Sequence, residues 1–194
     1  MTKIAIILGS TRPGRNGEAV ARWVVEQARG RSDAEYELVD LRDHPLPHLD
    51  EAVPASMGMY SQPHTKEWAA TIAAYDGFVF VTPEYNHGTT GVLKNALDYL
   101  YAEWNNKAAA FVSYGSAGGV RAVEHLRLIV GELQMADVRQ QVQFSLFHDF
   151  ESFSTFVPGP QHVANAAVML DQLVAWSDAL ATVRVALGTK TLAA

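Results

Sequence analysis

Apolar positions along this chain alternate between continuous runs and a helical spacing. Lys3-Ile4-Ala5-Ile6-Ile7-Leu8 is a short apolar run that reads as a buried strand. Ala19, Val20, Trp23, Val24 and Ala28 then recur on one helical face, and Tyr36-Glu37-Leu38-Val39-Asp40-Leu41 alternates as a second strand. A long irregular segment, about 42–62, carries Pro45, Pro47 and Pro54. The stretch 63–75 then reads as a helix with Trp68, Ile72 and Tyr75 on one face. Phe78-Val79-Phe80-Val81 is a third strand, followed by Val92, Leu93, Ala96, Leu97 and Leu100 at helical spacing. A fourth strand is expected over 108–114, a helix over 120–133, a strand over 138–142, an irregular aromatic segment over 144–160, and a long last helix over 163–187.

Strand and helix patterns that alternate in this way specify a parallel sheet with helices on both faces. The fold class is therefore α/β: a flavodoxin-like three-layer α/β/α sandwich with a five-stranded parallel sheet, for which the strand order 2-1-3-4-5 is suited. Residues 1–194 are expected to form a single domain, with no internal repeat.

In open α/β sheets ligands bind outside the carboxyl ends of the strands, and two loops at such ends stand out. The first is Gly9-Ser10-Thr11-Arg12-Pro13-Gly14-Arg15-Asn16-Gly17. Its glycines permit tight turns, Ser10, Thr11 and Asn16 offer side-chain hydrogen bonds, and the following helix points its positive end at the loop. Arg12 and Arg15 add donors suited to phosphate oxygens, so the loop reads as an anion cradle. The second loop, Thr82-Pro83-Glu84-Tyr85-Asn86-His87-Gly88, sits where the third strand hands over to a helix.

Composition narrows the chemistry. The net charge of -6 argues against broad binding to nucleic acid or an acidic membrane surface. There is no cysteine, which excludes disulfides, thiolate catalysis and Cys-based metal sites. The first strand begins at residue 3 and the apolar runs read as too short to span a membrane. A cytoplasmic protein without a leader is therefore expected. His44 and His48 are separated by prolines that prevent a helical metal-ligand arrangement, so no metal site is expected.

Neither G-x-G-x-x-G nor G-K-[ST] occurs in the first loop, which removes the dinucleotide fingerprint and the Walker loop. Gly115-Ser116-Ala117-Gly118 lacks the spacing of a nucleophile elbow. A plain turn with two solvated arginines remains the alternative reading of the first loop.

Taken together, the loops resemble the NADPH-dependent FMN reductase family, whose flavodoxin-like members include quinone, azo-dye and chromate reductases. Gly9-Ser10-Thr11-Arg12, with Asn16, is similar to its phosphate loop. Pro83-Glu84-Tyr85-Asn86 and Leu93-Lys94-Asn95-Ala96-Leu97-Asp98 resemble its second signature, and Ser113-Tyr114-Gly115 through Gly118-Gly119 its third loop. The chain departs from the pattern at Arg15, His87, Thr89 and Thr90. The resemblance implies FMN as cofactor and NADPH or NADH as co-substrate. Hydride would pass through the flavin to quinone-type or other small electron acceptors, in a ping-pong scheme with no protein nucleophile. It implies a phosphate held by Gly9, Ser10, Arg12, Arg15, Asn16 and Gly17. The flavin ring would lie along Pro83, Glu84, Tyr85, Asn86, His87 and Gly88, with Ser113, Tyr114, Gly115, Gly118 and Gly119 on the ring's other side or the ribityl chain. The alternative is a non-catalytic flavodoxin-like electron carrier or interaction module.

Several residues keep two readings. Tyr85 either stacks beside the flavin or packs its loop, and His87 is a weak proton-donor candidate or an ordinary polar loop residue. Lys94 and Asp98 form a helix-surface pair or a subunit contact. Phe144, Phe147, Phe150, Phe153 and Phe156 stand three apart. Together with Met57, Met59 and Tyr60 they fill core, line the pocket or build the interface of an expected homodimer or homotetramer.

Overall fold

The computed structural model describes residues 1–188. Five parallel strands alternate with four helices, as expected: β1 (Thr2–Leu8), α1 (Gly17–Ala28), β2 (Ala34–Asp40), α2 (Pro63–Ala73), β3 (Gly77–Pro83), α3 (Gly91–Asp98), β4 (Ala108–Gly115), α4 (Val120–Glu132) and the short β5 (Ala136–Asp137). The sheet runs β2-β1-β3-β4-β5, and a further strand, β6 (Val142–Ser145), also pairs with β4 in parallel.

The expected fifth strand at 138–142 is thus two short pieces that flank it. Val138 N–H still donates to the carbonyl of Ala109 in β4 (2.9 Å), but side chains satisfy the backbone groups that follow. Arg127 donates to the carbonyls of Val138 (3.0 Å) and Arg139 (3.3 Å), and the backbone N–H of Gln140 donates to Gln172 Oε1 at 3.1 Å. Hydrogen bonds to side chains are not visible in a hydrophobic pattern, so the break left no trace in the sequence reading.

Strands β1, β3 and β4 are buried on both faces, which is why they read as continuous apolar runs rather than alternating ones. Ile4, Ile6, Leu8, Val79, Val81, Ala110 and Val112 pack under α1 and the last helix, α5 (Gln161–Ala186). Ala5, Ile7, Phe78, Phe80, Ala109 and Phe111 face α2, α3 and α4, where Trp68 and Trp104 are fully buried. Each of these indoles donates to a carbonyl of α3, Trp68 to Ala96 (2.8 Å) and Trp104 to Leu97 (3.2 Å). Their apolar bulk is buried without leaving a donor unpaired.

α5 corrects the expectation that no apolar run approaches spanning length. Among the described residues it is the one helix long and apolar enough to cross a membrane by length and composition. Here one face carries His162, Ala166, Met169, Leu170, Leu173, Val174 and Ser177 into the core against the sheet, while Val168 and Trp176 stay exposed.

The aromatic segment 144–160 is not wholly irregular. It contains a small antiparallel hairpin, β7 (Phe150–Glu151) and β8 (Thr155–Phe156). The five phenylalanines are sorted by position. Phe144 and Phe156 meet Trp23 edge-on, Phe150 packs at a tilt on Phe156, and Phe147 and Phe153 point outward. In the other irregular segment, Met57 and Met59 are exposed and Tyr60 donates to Glu103 at 2.8 Å.

Candidate functional site

The carboxyl ends of β1, β3 and β4 are neighbours in the sheet, so their loops, 9–17, 83–90 and 113–119, meet at one edge. Their backbones are locked together. Gly9 donates to the carbonyl of Val81 (2.9 Å), and Glu84 to that of Tyr114 (3.1 Å). Thr90 accepts from Leu93 N–H at 3.1 Å as the N-cap of α3, and its own hydroxyl donates to the carbonyl of Gly9. A side chain at Gly9 would lie 2.8 Å from Leu93 and 2.9 Å from the Val81 carbonyl, so this close approach requires glycine.

In loop 9–17 the two arginines part company. Arg12 is exposed and its guanidinium has no ion-pair partner among the described residues. Arg15, read from the sequence as a second phosphate donor, turns inward. Its side chain is 3% exposed; it donates to the Ser10 carbonyl (2.6 Å) and, with both terminal nitrogens, to the carboxylate of Asp40 at the end of β2. The hydrogen bond it donates to Asp40 raises the Arg15 pKa in spite of burial. Burial alone would raise Asp40, but the bonds from Arg15 and from the Arg42 backbone bring it below the usual carboxylate value. This pair ties the loop to β2, and Arg15 is a positioning residue rather than an outward cation. A basic residue missed in the sequence takes the outer place. The exposed Arg42 reaches the carbonyl of Arg12 at 2.8 Å, a contact across 30 residues that only the β1–β2 pairing creates.

Helix α1 carries no side-chain cap at its N-terminus. The Asn16 amide instead donates to the carbonyl of Phe153 at 2.7 Å, joining the loop to the β7–β8 turn. Tyr114 is buried beneath this loop, not aimed out of it. Burial raises its pKa, and its hydroxyl lies where a side chain on Gly17 would sit, 2.5 Å from that methyl position. Ser113 is also buried and donates to the carbonyl of Gly118 at 2.7 Å, shaping loop 113–119 from inside.

Loop 83–90 is a two-residue turn. Tyr85 and Gly88 exchange backbone bonds of 2.9 and 3.1 Å, and Asn86 and His87 both sit in the left-handed region, with φ of 49° and 75°. Such a turn leaves the N–H groups of its central residues free of the ladder. Tyr85, Asn86 and His87 are exposed, and the Tyr85 hydroxyl reaches the fully buried Ser10 at 3.2 Å. His87 stands beside His125 of α4, ring centroids 5.8 Å apart. Pro83 is buried. The Glu84 carboxylate is also almost covered and is paired with Arg121 on the first turn of α4. Lys94 and Asp98 form the i,i+4 pair along α3, and His44 packs on Trp68.

An uncapped helix start, an arginine without an ion-pair partner among the described residues and an exposed backbone turn lie together at this edge. An uncapped N-terminus and free guanidinium suit a phosphate dianion. Outward N–H groups on loop 83–90 suit ring nitrogens and carbonyl oxygens.

Residues 2–149 match the sequence profile of the family described as NADPH-dependent FMN reductase. An NAD(P)H-dependent FMN reductase of Schizosaccharomyces pombe is 47% identical over 135 residues, covering 69% of this chain and 68% of that protein. An FMN-dependent NADPH-azoreductase of Staphylococcus aureus is 30% identical over 178 residues, covering 88% and 93%. Among solved structures, the flavoenzyme NAD(P)H:(acceptor) oxidoreductase FerB of Paracoccus denitrificans superposes with a TM-score of 0.70 at 20% identity, covering 92% of this chain and 98% of that one.

Proposed function

The chain belongs to the NADPH-dependent FMN reductase family, and on that premise we propose how its own residues carry the family's chemistry. It is an FMN-dependent NAD(P)H oxidoreductase. When bound, FMN supplies the hydride relay between NAD(P)H and a small electron acceptor.

The protein's part is to bind, orient and shield. Arg12, Asn16 and the N–H groups at Gly17 hold the phosphate against the positive end of α1. Gly9 and Ser10 form the floor of the cradle, and Arg15, through Asp40, fixes its shape. The turn Tyr85-Asn86-His87-Gly88 presents its N–H groups to the ring edge, with Pro83 and Glu84 behind it. Gly115, Gly118 and Gly119, shaped by Ser113 and Tyr114, would contact the ring's other side or the ribityl chain. No side chain need act as nucleophile, and His87 with His125 is a rim pair rather than a catalytic centre. The observation that supports this most is the convergence of the unpaired Arg12, the uncapped α1 and the exposed turn 85–88 on one sheet edge.

Quinone-type and azo compounds are the proposed acceptors, the latter in keeping with the azoreductase among the relatives. Residues 1–194 form one FMN-binding domain in this reading, and the chain associates as a homodimer or homotetramer. A yellow purified protein whose flavin bleaches anaerobically on addition of NADPH or NADH supports the assignment. Flavin that stays bound and oxidised with both nucleotides overturns it. A monomeric mass by light scattering at micromolar concentration removes the oligomer, and two separate unfolding transitions remove the single domain.

A further inference from the structure

Phe147 and Phe153 are the one pair of phenylalanines in the aromatic segment that the core does not take. They are 61% and 59% exposed and meet edge-to-face, ring centroids 5.7 Å apart. Their positions are built, not loose. Phe147 N–H donates to Ser145 Oγ at 3.2 Å, and the adjoining Leu146 N–H to the carbonyl of Gly115 at 3.0 Å, which sets Phe147 beside loop 113–119. The carbonyl of Phe153 takes the Asn16 amide, which sets Phe153 beside loop 9–17. Behind them the hairpin is anchored by Phe150 and Phe156 in the core. A largely buried Asp149–His162 pair at 2.8 Å adds to the anchor, and Asp149 also accepts the Ser145 N–H at 2.8 Å.

The backbone at the turn is unfavourable for the residue it carries. Ser152 and Phe153 have φ of 50° and 59°, the left-handed region, where glycine or asparagine would turn the chain with less steric cost. A bulky aromatic residue retained there, with its ring in water, is an outlier that points to use of the ring. The hairpin also begins at residue 150, just past the stretch that matches the family profile. It is a part of this chain where acceptor preference can differ from that of relatives.

We infer that Phe147 and Phe153 form an aromatic shelf that binds the planar ring of a quinone-type acceptor at the mouth of the site. This rests on the assignment of loops 9–17, 83–90 and 113–119 to FMN. Two exposed phenylalanine rings offer roughly 200–300 Å² of apolar surface, far below the ~800 Å² per partner of a stable subunit interface, and matched to a one- or two-ring molecule. Tyr85, exposed on loop 83–90, lies at the same sheet edge.

The test uses 1,4-naphthoquinone and the FMN-loaded, oxidised protein without nicotinamide, with affinity measured by calorimetry. Phe147→Ala and Phe153→Asn, the second chosen because asparagine accepts the left-handed turn, are each expected to weaken naphthoquinone binding by about two- to ten-fold. FMN affinity and turnover with ferricyanide, which has no ring to stack, should stay the same. Unchanged naphthoquinone affinity with normal FMN uptake overturns the shelf alone. A drop in mass by light scattering with unchanged naphthoquinone affinity also overturns it and assigns the pair to contact between copies. Failure of the wild-type protein to take up FMN overturns the site assignment, and the shelf with it.

Discussion

The phenol oxygen of Tyr85 lies 3.2 Å from the hydroxyl of Ser10, and this bond closes loop 83–90 over loop 9–17. It joins residues 75 positions apart across the ends of two neighbouring strands, at a serine that is completely buried.

Removing that hydroxyl with Tyr85→Phe should loosen the turn without disturbing the core. One neutral hydrogen bond is worth about 1 kcal/mol, so amide exchange at residues 85–88 should speed up by roughly two- to ten-fold. Exchange rates equal to wild type would mean that the Tyr85–Gly88 bridge alone holds the turn.

The two arginines of loop 9–17 should separate cleanly. Arg12→Ala is expected to weaken FMN retention by about ten-fold or more while Tm stays within a degree or two, since Arg12 has no ion-pair partner to lose among the described residues. Arg15→Met strands the Asp40 carboxylate and should cost about 2–4 kcal/mol, less than for a fully enclosed pair because Asp40 is partly exposed. Urea unfolding and FMN titration of both variants check this. The reverse pattern would return Arg15 to the phosphate.

Asp40 also sets an acid limit. Its folded pKa lies below 3.8, so the pair's contribution is fully present above the unfolded carboxylate value and is lost as pH falls through the folded one. Asp40→Asn should therefore flatten the decline in stability below about pH 4. The comparison is of unfolding midpoints at pH 3 and pH 6 in both proteins, and parallel curves would remove Asp40 from the acid response.

Lys107 acts in the same direction but in a higher pH window, because burial disfavours its charged form. It is buried and donates to the carbonyl of Ile72 at 2.9 Å, and desolvation, with Arg184 nearby, brings its pKa down to about 7 from 10.5. Above pH 7 the folded protein releases this proton while the unfolded chain keeps it, so stability rises with pH across that window. The gain between pH 6 and 9 is of the order of 2–3 kcal/mol. In Lys107→Met that component of the slope should vanish, as read from urea unfolding at the two pH values.

Gly17 and Tyr114 form a steric pair. A methyl at Gly17 would meet the Tyr114 hydroxyl at 2.5 Å, so Gly17→Ala should cost about 1–3 kcal/mol and weaken FMN binding. Adding Tyr114→Phe removes the oxygen in the way and should restore part of both losses. A double variant no better than Gly17→Ala would place the damage in the backbone instead.

The layers of the fold were legible because periodicity reports burial. Continuous runs at β1, β3 and β4 mark strands covered on both faces, and the spacing of Val20, Val24 and Leu93, Leu97 marks helices covered on one. The fifth sheet position was misread because its break depends on Arg127 and Gln172, whose bonding leaves no periodic trace. The aromatic spacing at 144–156 gave no hint of which rings go inward, since a period of three fits neither a strand nor a clean helical face.

The sequence by itself determined the alternation of elements, the three strand-end loops and the residue types in them, because each follows from local propensity and from what a strand–loop–helix passage allows. Tertiary structure alone decided which of those residues face outward. Arg12 and Arg15 are the same residue type three positions apart in one loop; only the pairing of β1 with β2 brings Asp40 under Arg15 and turns it inward, leaving Arg12 free. Phe147 and Phe153 likewise stay outside while Phe144 and Phe156 pack on Trp23 and Phe150 packs on Phe156. Exposure is a property of neighbours distant in the chain, and no local pattern can report it.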